Sequence, residues 1–148
     1  MFKHLLSLSL LLSVTACSLF PQKIDYSKAQ NLLFQNNIID TFKIHVQRDD
    51  KLCADDTQDQ QDCQIKFYID DFKAGDFYIN NQSNYYLKEN KYTLSVKNCT
   101  TDCQVNKVDF CVNNQLKETD LILSIDNNGK PFILNKDGSS INNCSNNE

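Results

Sequence analysis

Apolar residues recur at every second position through most of this chain. Phe42, Ile44 and Val46 alternate with Lys43, His45 and Gln47, and Ile65, Phe67 and Ile69 alternate with Lys66 and Tyr68. Tyr92, Leu94 and Val96 follow the same rule, as do Val108, Phe110 and Val112, then Leu121, Leu123 and Ile125. Phe77 and Ile79 flank Tyr78, and Phe132 with Leu134 closes the series. A period of two puts successive side chains on opposite faces of an extended strand, whereas a helix would need a period of 3.6. Seven short strands are therefore expected, with Tyr85 to Leu87 as a candidate eighth. Turn chemistry agrees. Glu89-Asn90-Lys91 separates two apolar runs, and Asp126-Asn127-Asn128-Gly129 suits a hairpin because Asn and Gly tolerate positive φ. Short strands with one apolar face each predict an all-β fold, a small antiparallel β-sandwich of two sheets packed face to face. The 148 residues fit a single domain over 27–148. One short helix is expected over residues 25–35, with Leu32 and Leu33 as its apolar contacts and Asn36-Asn37 as its stop.

Seven cysteines are the second constraint. Setting Cys17 aside leaves Cys53, Cys63, Cys99, Cys103, Cys111 and Cys144, an even set that reads as three disulfides in an exported domain. Six cysteines allow about 15 pairings. Local loop closure favours Cys53 with Cys63 across the polar stretch Ala54 to Asp62. A clip of Cys99 with Cys103 then leaves Cys111 with Cys144. Zinc is the rival chemistry, but Cys99, Cys103 and Cys111 are not closely paired and have no His beside them, so no metal site is expected.

The N-terminus reads as an address. Lys3 supplies a positive start, and Leu5 to Val14 is an apolar stretch of signal-peptide length, too short to cross a bilayer. Val14-Thr15-Ala16-Cys17 follows: a branched apolar residue, two small residues, then Cys. This segment resembles the lipobox of bacterial lipoproteins. The resemblance implies removal of residues 1–16, lipidation of Cys17, and a tether over 17–26. Several acyl chains at one residue hold a protein on a bilayer almost permanently, whereas one holds it weakly. Ser18, rather than Asp, follows Cys17. In Gram-negative lipoproteins that implies the outer membrane, with the domain facing the periplasm.

A second resemblance lies around Lys66 to Val96. Phe67-Tyr68-Ile69-Asp70, Gly75, Leu87 and Tyr92-Thr93-Leu94-Ser95-Val96 resemble the strand, turn and strand pattern of PEGA-type domains. These are short β-sandwich modules of bacterial envelope proteins, and the resemblance implies a sandwich and no catalysis.

Composition excludes several classes. A formal charge of −4 gives no electrostatic case for nucleic acid. Hydrophobic residues at 41% and charged residues at 23% describe a globular chain rather than a disordered one. Beyond the signal segment the chain has one His, His45, on the polar face of a strand, and no P-loop, GxGxxG, HExxH or GxSxG motif. No catalytic residue and no cofactor is expected. Asp49, Asp50, Asp55, Asp56, Asp59 and Asp62 crowd the first cysteine loop. Their spacing does not meet the EF-hand pattern, and they read as a solvated loop. Tyrosines offer the better lead. By alternation Tyr68 and Tyr78 point away from the Phe67 and Phe77 face, so Tyr68, Tyr78 and Tyr86 are candidate contact residues, since Tyr supplies large area at small entropy cost. The functional expectation is a non-enzymatic, membrane-anchored envelope lipoprotein, a structural or protein-interaction module that meets another envelope protein. The alternative is an inhibitor or ligand-binding lipoprotein, for example one that blocks a lysozyme with the 54–62 loop. A hydrolase ranks last.

Overall fold

Eight strands and no helix make up residues 23–99, 102–114, 119–141 and 144, which the computed structural model describes. The expected signal segment, Cys17 and the first part of the tether lie outside these residues. The strands are β1 (Thr41–Arg48), β2 (Ile65–Ile69), β3 (Phe72–Phe77), β4 (Gln82–Lys88), β5 (Asn90–Cys99), β6 (Cys103–Val112), β7 (Thr119–Ile125) and β8 (Pro131–Asn135). They form two four-stranded sheets, in the orders β4-β1-β7-β8 and β3-β2-β5-β6. The expected sandwich of about eight strands is therefore present among the described residues.

The alternation explains the packing. Ile44 and Val46 of β1, with Leu121, Leu123 and Ile125 of β7, are buried on the inner face of the first sheet. Ile65, Phe67 and Ile69 of β2, with Leu94 and Val96 of β5, are buried on the inner face of the second. The two layers meet where the Phe67 ring lies 5.3 Å from the ring of Tyr85 on β4. Burying each such side chain contributes about 1.5–3 kcal/mol.

Three features depart from the sequence reading. First, β1 and β7 run parallel, with Ile44 opposite Thr119 and Arg48 opposite Leu123, whereas every other strand pair is antiparallel. The alternation fixes which face is apolar but leaves strand direction open. Second, the third strand ends at Phe77 rather than spanning Phe77 to Ile79. Its residues Ala74, Gly75, Asp76 and Phe77 are all buried, so no alternation marks it. Third, residues 25–35 form no helix. Asn31 and Phe34 take φ of 55° and 56°, which an α-helix excludes.

That segment is instead a strap along one side of the sandwich. Gln30 and Asp76 exchange backbone hydrogen bonds of 3.0 and 2.9 Å, and Leu33 N donates to Ala74 O at 3.0 Å. Tyr86 N then donates to Phe34 O at 2.9 Å, and Gln35 Nε2 donates to Asn84 O at 2.7 Å. The strap thus covers the free edges of β3 and β4 together, which explains why β3 is buried on both faces. Open edges pair readily with other chains, and a covering segment prevents this.

The cysteines pair as local closure favours: Cys53 with Cys63, Cys99 with Cys103, and Cys111 with Cys144. Their Cα separations are 6.0, 4.1 and 5.0 Å. The first closes the acidic loop, the second the β5–β6 hairpin, and the third ties Cys144 to β6. The β7–β8 hairpin turns at Asp126 to Gly129 as expected. Gly129 has φ of +75°, and Asp126 Oδ1 accepts hydrogen bonds from the amides of Asn128 and Lys130.

Candidate functional site

The three candidate tyrosines do not share a surface. Tyr68 is on the outer face of the second sheet and Tyr86 on the outer face of the first, so they lie on opposite sides of the sandwich. Tyr78 is not a surface residue: only 4% of it is exposed. It lies just past the end of β3, where the strand phase no longer applies, and its ring packs edge-on against Tyr26 at 4.8 Å. Burial, helped by nearby Asp76, raises its hydroxyl pKa.

Around Tyr86 the outer face of the first sheet is mixed and nearly neutral. Tyr86 is opposite Lys43, His45 is opposite Asn84, and Gln47 is opposite Ile122. Ile122 in turn faces Leu134, and Phe132 faces Ser124. Ile122, Phe132 and Leu134 are half-buried rather than inside the core. His45 Nδ1 meets the amide oxygen of Asn84 at 3.0 Å, and its neighbour Asp120 is paired with Lys136 at 3.3 Å. Both groups around the imidazole thus have structural partners.

Around Tyr68 the outer face of the second sheet is basic. Lys66 on β2 stands directly opposite Lys97 on β5, and Tyr68 opposite Ser95. Ser95 is in turn opposite Lys107 on β6. Lys97 Nζ sits 4.4 Å above the Tyr68 ring, a cation–π contact. The carboxylates on this side are engaged by other lysines: Asp76 takes Lys73 at 2.6 Å, and Asp109 takes Lys91 at 2.7 Å. Among the described residues Lys66, Lys97 and Lys107 make no ion pair. Like charges directly opposite on a sheet repel, so this arrangement costs stability unless an anion relieves it.

One end of the sandwich carries the acidic loop. Asp56 organises it, with Oδ1 accepting from the Asp62 amide and Oδ2 from the Cys63 amide, each at 3.1 Å. Cys53, Asp56 and Cys63 bring three metal-type donors together, but the two sulfurs are joined in a disulfide and the carboxylate holds backbone amides. Gln61 anchors the loop, its Oε1 accepting from the Ile79 amide at 2.9 Å. A cleft of about 490 Å³ lies between Lys51 to Asp55 and Ile125 to Gly129. Of its carboxylates, Asp126 serves the hairpin turn.

Close to this loop lies a residue that the sequence reading missed. Arg48 is fully buried at the end of β1. Its Nη1 donates to Phe77 O at 2.9 Å, while Nε and Nη2 have no partner among the described residues. Burial pushes the guanidinium down to about 10, against the opposing influence of Asp49 and Asp56. The signal was present: alternation through Ile44 and Val46 continues to position 48 on the inner face.

Comparison with known proteins finds no matching family model, no matching curated protein and no matching solved structure.

Proposed function

We propose that this chain is a lipid-anchored, non-enzymatic envelope protein that acts as an interaction module. One observation carries the reading. The six cysteines of the body pair with one another, which leaves Cys17, at the end of Val14-Thr15-Ala16-Cys17, as the single cysteine without an intrachain partner. A lone thiol directly after a signal-type segment is what lipidation needs. Disulfides also belong to an oxidising compartment. On the lipoprotein reading, the proposed anchor is in the outer membrane and the proposed position of the domain is the periplasm.

The surface proposed to meet another envelope protein is the outer face of the first sheet. Tyr86, Ile122, Phe132 and Leu134 there offer aromatic and aliphatic area with little charge, the composition of interface cores. Mass spectrometry of the protein taken from membranes tests the anchor. The expected species begins at Cys17, carries acyl mass on that residue, and has three disulfides. A species that retains residues 1–16 with six free thiols in the body would overturn the reading. Co-purification with Ile122→Glu and Leu134→Glu tests the face, and unchanged partner recovery would count against it.

A further inference from the structure

The lysine triangle around Tyr68 stands out in a chain of negative formal charge. Lys66 and Lys97 are held side by side by the sheet register, and Lys107 stands diagonally across on the next strand. Asp76, opposite Lys66 on β3, is ion-paired with Lys73, and Asp109 with Lys91, so Lys66, Lys97 and Lys107 leave this face with an excess of positive charge.

The place where residues 23–30 join the domain bears on where the counter-charge lies. Five residues, and so six Cα-to-Cα steps, separate Cys17 from Lys23, the first described residue. Fully extended they span at most about 20 Å. The chain then meets the domain beside β3, the edge strand of the lysine-bearing sheet, through the Tyr26 contact with Tyr78 and the Gln30 bridge to Asp76. An anchor at Cys17 therefore keeps the β3 edge of the lysine-bearing sheet within reach of the bilayer. The face of Tyr86, Ile122 and Leu134 belongs to the other sheet.

We infer that the outer face of the second sheet lies on the anionic phospholipid surface that carries the anchor, with Lys66, Lys97 and Lys107 around headgroup phosphates. This rests on the anchoring reading above. A lysine near an anionic bilayer contributes about 1 kcal/mol, roughly fivefold in affinity. An acyl anchor joined to such a patch then fixes orientation as well as attachment. The Tyr68 ring, already under Lys97, adds an amphipathic side chain at headgroup depth.

The test uses the mature protein purified from membranes and weighed intact first. It is reconstituted in vesicles of phosphatidylcholine alone or of phosphatidylcholine with phosphatidylglycerol, and lysines are labelled with a limiting amine reagent. Lys66, Lys97 and Lys107 are expected to label about fivefold more slowly in the anionic vesicles, with Lys51, Lys130 and Lys136 unchanged. Equal labelling of all six in both vesicles overturns the inference. Protection of the triangle that persists in detergent, with self-association on sizing, would mean a second copy's acidic loop occupies the face, and overturns it too. Absence of acyl mass at Cys17 would instead mark failure of the anchoring reading. As a second arm, the mature chain with Cys17→Ser is expected to sediment with anionic vesicles about a hundredfold more tightly than the same chain bearing Lys66→Gln, Lys97→Gln and Lys107→Gln. No difference between the two counts against the inference.

Discussion

Gly75 lies directly under Tyr85. A Cβ at position 75 would come within 2.8 Å of the Tyr85 hydroxyl oxygen and 2.9 Å of Leu32 Cδ2. Glycine is needed here for close approach, since the strap presses Leu32 onto β3 while Tyr85 reaches across from β4. Gly75→Ala is expected to destabilise the fold by about 1–3 kcal/mol, the usual cost of overpacking. Urea denaturation reads this as a lower midpoint with an unchanged slope. Tyr85 Oη also donates to Ala74 O at 3.2 Å, so Tyr85→Phe alone should cost about 1 kcal/mol. In that background Gly75→Ala should cost less than it does in the wild type. A strictly additive double mutant would show that the hydroxyl is not what position 75 meets.

The disulfides differ in the length of chain they close. Cys53–Cys63 spans 10 residues and Cys111–Cys144 spans 33. The chain-entropy argument gives about 3 kcal/mol for the first and about 4 kcal/mol for the second. Replacing each pair by Ser should therefore lower unfolding free energy in that order. A larger loss from the Cys53–Cys63 pair would show that the acidic loop stabilises the native state through its contacts, beginning with Gln61 to Ile79.

Arg48 separates charge from volume. Removing one charged residue from the interior leaves less to desolvate, and an apolar replacement of similar length is often neutral or better. Arg48→Met is expected to stay within about 1 kcal/mol of wild type. Arg48→Ala opens a cavity and should lose about 2–4 kcal/mol. Thermal unfolding of the two variants checks the contrast, and a Met variant as weak as the Ala variant would mean that the hydrogen bond to Phe77 O, rather than side-chain volume, carries the contribution of Arg48.

The β7–β8 hairpin carries an acid-sensitive turn. Hydrogen bonds from the Lys130 and Asn128 amides hold the Asp126 carboxyl below its ordinary value of 3.8. A carboxylate depressed in the folded state stabilises that state above its unfolded pKa, and the gain is lost as pH falls through the folded pKa. The turn should therefore persist at pH 5 and loosen below pH 3.8. Amide exchange at Gly129 followed from pH 5 down through and below pH 3.8 checks it, with Asp126→Asn expected to remove most of the pH dependence.

Much of this architecture is legible from side-chain phase. Ile44, Val46, Phe67, Leu94 and Leu123 announce their inner faces, and Asp126 to Gly129 announce their turn. Loop length favoured the disulfide pairing without deciding it. Phase fails where a strand is covered on both sides, as at Ala74 to Phe77, and it misplaced Tyr78 because the strand has ended one residue earlier. It is also silent on register, so it could place Lys66 and Lys97 outward without showing that they stand opposite each other. The strap escaped because its hydrogen bonds go to β3 and β4, not to its own chain. Arg48 went unremarked because the apolar series through Ile44 and Val46 was read only as far as Gln47, one residue short of the inward position.

The parallel pairing of β1 with β7 has a consequence in time. A chain delivered N-terminus first presents β1 early, yet its central neighbour arrives only after the entire second sheet. Until then β1 has β4 alone beside it and one flank open. Non-local pairing of this kind slows folding and leaves a transient sticky edge. Assembly of the first sheet is thus governed by the arrival of residues 119–125, and a helper that shields β1 during that interval would raise yield without altering the finished molecule.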